Sequence, residues 1–575
     1  MKKPLLEINK LTISFGTANS KSTVVNQLSY TVEEGKTLGI VGESGSGKSI
    51  TSLSIIGLLN KLASVDSGEI IYNSSNGPVD LLSLNDEQIR PYRGKEIAMI
   101  FQEPMTSLNP VIKCGEQVAE AIRLHQKLNK AEAKEKVLHW FNEVELPRAE
   151  QIYDSYPHQI SGGQKQRVMI AMAMCCNPKL LIADEPTTAL DVTVQKTILN
   201  LIKSLQQKHK MSVIFITHDL GVVAEIADEV IVMKAGEKVE SGSTQSIFEN
   251  PKHSYTKGLI ACRPPMEYRL KKLPTVQDFL GLDQSVNVSN YIDQLKVSKS
   301  EQESKLTELL KNPKLIEIKN LKTYFPIQKG VLRRTVGHVK AVDDISFDVV
   351  EGETLGLVGE SGCGKTTLGR SILRLVEPSF GEILYQGTEL RKLNANALRK
   401  YRKELQIIFQ DPYSSLNPKM RIGNAIMEPM KVHGIEDNET QRKAKVIDLL
   451  ETVGLKADQF NRYPHEFSGG QRQRVCIARA LALSPKFVIC DESVSALDVS
   501  VQAQVLNLLN ELKNKFNFTY IFISHDLSVV KYMSDRMIVM KAGKIEEMGI
   551  AEDIYSNPKS PYTKKLIEAI PNISF

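Results

Sequence analysis

The chain repeats itself. Gly42-Glu43-Ser44-Gly45-Ser46-Gly47-Lys48-Ser49 returns as Gly359-Glu360-Ser361-Gly362-Cys363-Gly364-Lys365-Thr366. In the same order, Ser161-Gly162-Gly163-Gln164 returns as Ser468-Gly469-Gly470-Gln471, Asp184-Glu185 as Asp491-Glu492, and Thr217-His218-Asp219 as Ser524-His525-Asp526. A period this long is a duplicated domain and not a solenoid unit, so any fold proposed for one half must serve both. The first copy is the longer one between its glycine-rich loop and Gln102, where the Ser/Asn/Gly/Pro cluster at 73–78 predicts an enlarged surface turn. Each copy opens on a short apolar strand pattern, 5–15 and 315–325. Each closes on a similar phrase, Asn250-Pro251 with Tyr255-Thr256-Lys257 and Asn557-Pro558 with Tyr562-Thr563-Lys564. The repeat predicts a first domain at 1–265 and a second at 314–575. The polar, charged stretch 266–313 between them reads as an exposed linker with one short helix.

Composition agrees with folded domains. At ~150 residues per domain, 575 residues allow about four compact units. Apolar residues make up 42% and charged residues 24%, which argues against a disordered, collagen-like or disulfide-scaffold chain. Lys plus Arg exceed Asp plus Glu by only 6, at 73 against 67, too mild an excess to argue for nucleic acid. No run of apolar residues is long enough to cross a bilayer, and the N-terminal residues do not form a signal peptide. The seven cysteines are scattered without metal-ligand spacing, as in a reduced cytosolic protein with small buried thiols.

Within each copy, short β-rich runs alternate with helical patterns, which predicts an α/β core with buried strands near 36–41, 180–183 and 213–217. The stretches 111–153 and 422–460 are charged and helical in pattern, and predict a separate helical subdomain in each half.

The glycine-rich octets follow a strand and open a helix in both copies. That is the setting in which glycines turn several backbone N–H groups into one anion-binding hollow. The following helix start adds its partial positive charge. In this reading Gly42, Glu43, Ser44, Gly45, Ser46, Gly47, Lys48 and Ser49, with Gly359, Glu360, Ser361, Gly362, Cys363, Gly364, Lys365 and Thr366, cradle a nucleotide polyphosphate. Lys48 and Lys365 reach the β- and γ-phosphates, and Ser49 and Thr366 offer hydroxyls to Mg²⁺. A glycine turn beside a surface lysine is the bland reading; its repetition in matching contexts makes that reading untenable. An apolar strand ending in an acid is, taken singly, a solvated strand end. Paired with the glycine loop in duplicate, Asp184 and Asp491 read as Mg²⁺ ligands, directly or through water. Glu185 and Glu492 accept a proton from, or orient, an attacking water.

Ser-Gly-Gly-Gln before a helix, then the acidic strand, then Ala189-Leu190-Asp191 and Ala496-Leu497-Asp498, resemble the ATP-binding-cassette ATPases over nearly the whole chain. The resemblance implies two tandem P-loop NTPase (ABC-type) domains, each with a RecA-like core, an antiparallel β subdomain and a helical subdomain. It implies a head-to-tail pair that sandwiches two ATP molecules. Ser468, Gly469, Gly470 and Gln471 would then work with Lys48 and Glu185; Ser161, Gly162, Gly163 and Gln164 would work with Lys365 and Glu492. It also assigns Gln102 and Gln410 to the loop that touches Mg²⁺ or water and senses the membrane subunit. His218 and His525 become the γ-phosphate contacts. Phe15, with Phe325 or its neighbour Tyr324, becomes the adenine stacker, a position that core packing would explain equally well.

Phe101-Gln102-Glu103-Pro104-Met105-Thr106-Ser107-Leu108-Asn109-Pro110, Phe409-Gln410-Asp411-Pro412-Tyr413-Ser414-Ser415-Leu416-Asn417-Pro418 and the Asn-Pro…Tyr-Thr-Lys endings are similar to the oligopeptide/dipeptide (and nickel) importer branch. The first half resembles its D-type ATPase and the second its F-type partner. Ile160 and Phe467 depart from the usual Leu before the Ser-Gly-Gly-Gln, and Ser493 stands opposite Pro186. Some D-type relatives carry an iron–sulfur cysteine cluster after the first cassette; that region offers Cys262 alone, so no cluster is expected. The resemblance implies two separate transmembrane permease subunits and an extracytoplasmic solute-binding protein, with no nucleic acid partner. The chain would sit in the cytoplasm, peripheral on the inner face of the cell membrane. The competing class, ribosome-associated tandem-cassette translation factors, carries a long charged helical arm between cassettes, which 266–313 is too short and too proline-marked to supply.

Overall fold

A computed structural model describes residues 3–17, 20–74, 77–102, 107–188, 190–281, 288–329 and 334–571. Expectations that fall on 75–76, 103–106 and Ala189 lie outside the described residues.

Each half builds the same two sheets. In the first, a six-stranded sheet runs in the order Glu237–Ser243, Glu229–Lys234, Thr37–Val41, Ser212–Thr217, Leu180–Asp184, Ile97–Ile100. Its pairs are parallel apart from the edge hairpin of Glu229–Lys234 with Glu237–Ser243. Every residue of Thr37–Val41, Leu180–Asp184 and Ser212–Thr217 is buried, as expected of parallel strands covered on both faces. The second half repeats the order with Lys544–Ile550, Arg536–Lys541, Thr354–Val358, Thr519–Ile523, Phe487–Asp491 and Leu405–Ile408. A four-stranded antiparallel sheet accompanies each: Ser20–Val32, Leu6–Thr17, Ala63–Ser74 and Gly77–Asp80 in the first half, and Arg334–Val350, Lys314–Lys329, Phe380–Tyr385 and Thr388–Glu389 in the second. The enlarged turn around 73–78 is the hairpin in which Asn73 pairs with Pro78 and Ser74 with Gly77.

The helical regions are Cys114–Gln126, Lys130–Glu143, Ala149–Tyr153 and Gly162–Met174, repeated as Ile422–His433, Glu439–Thr452 and Gly469–Leu481. They are less separate than the sequence implies. Cys114, Val118, Trp140 and Phe141 share one apolar core with Leu181, Val213 and Phe215 of the sheet. The helix that begins at the Ser-Gly-Gly-Gln is seated against the edge strand Ile97–Ile100 and shares that core with the strand that ends in Asp184.

The segment 266–313 differs from an exposed linker. Among its described residues it holds three helices, Val276–Leu280, Val288–Leu295 and Lys299–Leu309, and buries Leu270, Leu273, Val276, Phe279 and Ile292. Its backbone is strapped to the second half: Asn507 Oδ1 accepts from the Leu273 N–H at 2.9 Å and Asn507 Nδ2 donates to the Leu273 carbonyl at 2.8 Å. The apolar residues are too widely spaced among charges to announce a core from sequence. Only Lys299–Leu309, which buries no residue, matches the expectation.

Candidate functional site

The sheet register assembles the site. Val41 pairs with Thr217, and Asp184 with Ile216. The glycine loop, the acidic strand end and His218 therefore emerge side by side at the carboxyl edge, where open α/β sheets bind ligands. Gly42 must be glycine: a Cβ there would lie 2.2 Å from the Met233 carbonyl oxygen, and Gly359 meets Met540 at the same distance. Gly45 and Gly362, both at φ 78°, face open space, which leaves a hollow lined by backbone. Lys48 Nζ donates to the Gly42 and Glu43 carbonyls, both at 2.8 Å, and Lys365 Nζ to Gly359 and Glu360 at 2.8 and 3.0 Å. Each ammonium thus lies folded across the hollow that a phosphate would fill. Burial lowers the Lys48 pKa, against the opposing pull of Asp498, Glu185, Asp184 and Glu43.

Beneath the loop, Ser49 Oγ donates to Asp184 Oδ1 at 3.1 Å, and Thr366 Oγ1 to Asp491 Oδ1 at 2.8 Å. Burial lifts Asp184 to about 6, with the Glu185 charge adding to it, and lifts Asp491 as well. Asp491 Oδ2 is buried without a hydrogen bond, 3.8 Å from Arg370 Nη2. A hydroxyl beside a desolvated carboxylate, with an oxygen left unsatisfied, is a donor set that fits a hard cation held next to a phosphate.

The Glu185 carboxylate is held by three side chains. Gln102 Nε2 donates to its Oε2 at 3.1 Å, Thr188 Oγ1 to the same oxygen at 2.9 Å, and His218 Nδ1 lies 3.2 Å from Oε1. Burial would raise this carboxyl; the His218 bond and charge, with Thr188 and Gln102, overcome it and bring it down to about 2. His218 is raised in turn, its own burial outweighed by Glu185. In the second half Gln410 Nε2 donates to Glu492 Oε2 at 2.9 Å and His525 Nδ1 lies 3.5 Å from the same oxygen. Gln102 and Gln410, expected to touch metal or water, donate their amides to the two glutamates. Glu185 and Glu492 also sit in left-handed backbone, at φ 48° and 46°, which costs a non-glycine residue about 1–2 kcal/mol. Their N–H groups, bound to the Ile216 and Ile523 carbonyls at 2.9 and 3.0 Å, hold that conformation. Nothing in the residue type signals it.

Ser161 and Ser468 cap the helices Gly162–Met174 and Gly469–Leu481 through reciprocal bonds with Gln164 and Gln471, a capping box that fixes the loop in shape. What crosses between the halves is the next element. Asp191 Oδ2 accepts from the Ser361 N–H at 3.3 Å, and Thr193 Oγ1 donates to Glu360 Oε1 at 3.0 Å. Symmetrically, Asp498 accepts from the Ser44 N–H and Ser500 Oγ donates to Glu43 Oε1. Each glycine loop is therefore braced by the opposite half, a head-to-tail arrangement.

Two more residues reach the loops and were missed as site residues. Tyr255 Oη accepts from the Glu43 N–H at 3.3 Å, and Tyr562 Oη from Glu360 at 3.2 Å. The repeated Tyr-Thr-Lys ending was the available signal. Of the candidate adenine stackers, Phe15 is half-buried in its strand. Phe325 is 42% exposed, whereas Tyr324 is tied through its hydroxyl to Asp343.

Comparison with known proteins agrees with this geometry. The ABC transporter family pattern matches residues 25–188 and 342–495. The oligopeptide/dipeptide transporter C-terminal region matches 239–280 and 547–575, the parts that carry Tyr255 and Tyr562. The chain is 48% identical over 571 residues to the glutathione import ATP-binding protein GsiA of Pectobacterium atrosepticum, covering 99% of this chain and 90% of that protein. It is also 48% identical to its namesake in Escherichia coli K12, covering 99% and 89%. Nothing among these matches supports a translation factor. The chain belongs to the ATPase subunits of ABC transporters, in their oligopeptide/dipeptide importer branch.

Proposed function

We propose that this ATP-hydrolysing importer subunit works as one self-contained cassette pair, at 1–265 and 314–575, joined through 266–313. Two permease subunits and an extracytoplasmic solute-binding protein would complete it, with this chain on the cytoplasmic face of the membrane. The relatives' glutathione import, at 48% identity along nearly the full chain, favours glutathione or a similar short peptide as the transported solute.

The observation that carries the catalytic reading is the paired glutamate. In each half a largely buried carboxylate is kept ionised beside a histidine, at the end of the strand whose aspartate accepts the hydroxyl of the helix after the glycine loop. When bound, Mg²⁺-ATP supplies the phosphoanhydride bond to be cleaved. Lys48 and Lys365 leave their loop carbonyls for the phosphates; Ser49 with Asp184, and Thr366 with Asp491, are the residues that hold the cation. Glu185 and Glu492, held ionised, orient the water and take its proton once the histidines that depress their pKa have moved away. His218 and His525 are released from the glutamates toward the γ-phosphate. Ser161 to Gln164 and Ser468 to Gln471 close over the opposite loops, Asp191 and Asp498 hold the two halves in register, and Phe15 and Phe325 stack on adenine. Gln102 and Gln410, freed from the glutamates, pass the change to the permeases.

The test is the double variant Glu185→Gln, Glu492→Gln, assayed with its permeases. It should bind ATP, lose turnover by at least about 10²-fold and stop uptake of labelled glutathione. Rapid ATP turnover by that variant would sink the catalytic assignment; intact turnover with no glutathione-stimulated transport by the wild type would sink the solute alone.

A further inference from the structure

Where the two halves meet they enclose a cavity of about 120 Å³. His218 and His525, one from each half, both line it, and so do Arg263 and Ile570 from the two C-terminal extensions. Both nucleotide sites therefore border one shared space. At ~30 Å³ for each water-sized group, it has room for about four of them, as in the oxygens of one tetrahedral oxyanion. It is too small for a nucleotide or a peptide.

Arg263 gives the cavity its chemistry. Its Nη1 is buried and has no hydrogen-bond partner, and a buried donor left unpaired is costly enough that native folds seldom keep one without use. The acids that line the cavity are engaged with their own turns. Asp219 Oδ1 accepts from the Gly221 N–H at 2.8 Å, and Asp526 Oδ1 from the Ser528 N–H at 2.8 Å and its hydroxyl at 2.6 Å. Gln195 and Gln502 bring one amide from each half to the wall. A planar guanidinium with an unmet N–H is well shaped to grip a phosphate.

The placement is one-sided. The guanidinium lies on Gly221, where a Cβ would sit 2.0 Å from Arg263 Nη1. At the equivalent positions the second half has Ser528 and Ile570. The glycine and the arginine are thus exchanged together: where a side chain takes the room, the cation is gone. A single arginine serves the whole cavity, whereas two would crowd like charges into it.

We propose that this cavity is an oxyanion site, in which Arg263 holds one inorganic phosphate released at either glycine loop before it leaves the closed pair. An occupied cavity ties the first half's extension to the join, so the phosphate must depart before the halves part, and added phosphate slows turnover. The site stands on the cavity and the arginine. The origin of its phosphate rests on the ATPase reading above, so the two are tested separately.

The full chain is saturated with Mg²⁺ and a non-hydrolysable ATP analogue, which fills both glycine loops, and is dialysed against radiolabelled phosphate. One phosphate per chain is expected. Arg263→Gln should weaken its binding about ten- to a hundredfold, as loss of a charged hydrogen bond does, and Arg263→Lys should recover part of it through charge alone. Gly221→Ser with Arg263→Ile installs the pairing that the second half already folds with, so it decides the matter should Arg263→Gln fail to fold; it should lose the phosphate as well. No bound phosphate in the wild type, or binding that these two variants keep at full strength, overturns the site. During turnover, added phosphate should lower kcat and leave the KM for ATP unchanged, and Arg263→Gln should need about tenfold more phosphate for the same inhibition. Binding in dialysis without such inhibition, or inhibition equal in the wild type and Arg263→Gln, marks a site for bulk phosphate and overturns the role in product release.

Discussion

Asp184 is expected to destabilise the protein that it serves. Its carboxyl is 3% exposed, and burial, with the Glu185 charge beside it, raises its pKa from the ordinary 3.8 to about 6. The folded pKa lies above the unfolded one, so the proton is held more tightly in the folded chain. The stability this brings is complete below pH 3.8 and is lost as the pH rises through about 6. At 1.36 kcal/mol per pH unit, ionised Asp184 costs the ligand-free fold about 3 kcal/mol above pH 7. Asp184→Asn keeps an oxygen to accept the Ser49 hydroxyl and removes the charge. Without nucleotide, that variant should be more stable than the wild type at pH 8 by up to about 3 kcal/mol. The gain should shrink as the pH falls from 7 toward 4.

The measurement has a built-in reporter. Trp140 is the sole tryptophan and is buried in the core that the first-half helices share with the sheet, so its fluorescence follows unfolding of the first cassette. One kcal/mol moves Tm by about 2–4 °C in a domain of this size, so the expected gain at pH 8 is roughly 6–12 °C. Added Mg²⁺-ATP should raise the wild-type Tm and leave that of Asp184→Asn nearly unmoved at this site. The reasoning fails if Asp184→Asn is no more stable than the wild type at pH 8, or if its advantage does not depend on pH.

Other outcomes are expected from single contacts. Tyr255→Phe and Tyr562→Phe each delete one acceptor for a loop N–H, and at ~0.5–1.5 kcal/mol per bond equilibrium binding of ATP should weaken about two- to tenfold at the affected site. Asp498→Ala removes the acceptor for the Ser44 N–H from the opposite half; at ~1.5–3 kcal/mol for a bond to a charged group, ATP titration should require roughly ten- to a hundredfold more nucleotide for closure at that site, and an unchanged titration would refute the brace. Forced alkylation of Cys363, buried in the second glycine loop with Sγ 3.9 Å from Lys365 Nζ, should abolish nucleotide binding at the second site alone; full modification with unaltered affinity would contradict its placement.

The repeat made much of this legible. Two octets in strand-then-helix settings carry the loops, and two acid-terminated apolar strands carry Asp184, Glu185, Asp491 and Glu492. These rest on local sequence, since each is a strand end followed by its own turn. What stayed hidden depends on long-range geometry. The bond from Tyr255 to Glu43 joins residues far apart in the chain. The left-handed backbone at Glu185 is imposed by the neighbouring strand through Ile216. The core of 266–313 exists only because Asn507 and its neighbours receive it. No periodicity records such a partner.

The duplication also invites a symmetric reading of the two sites that the side chains do not support. Thr188 donates its hydroxyl to the Glu185 carboxylate at 2.9 Å, whereas Ser495 at the equivalent place donates to the Glu492 main-chain carbonyl. Arg370 lies 3.8 Å from Asp491, where the first half has Leu53. Ser46 in the first loop is Cys363 in the second. The backbone is kept in both halves because the interface requires each loop to meet the opposite aspartate. The groups that set carboxylate charge and loop polarity are under no such constraint, and they have diverged. A glutamate held by an extra hydroxyl is slower to give up its histidine, and an aspartate with an arginine nearby is less costly to ionise. The first site therefore holds its glutamate by one more bond, and the second places a positive charge beside its aspartate. Turnover by Glu185→Gln and Glu492→Gln single variants should differ, and equal rates would show that the shared backbone outweighs these substitutions.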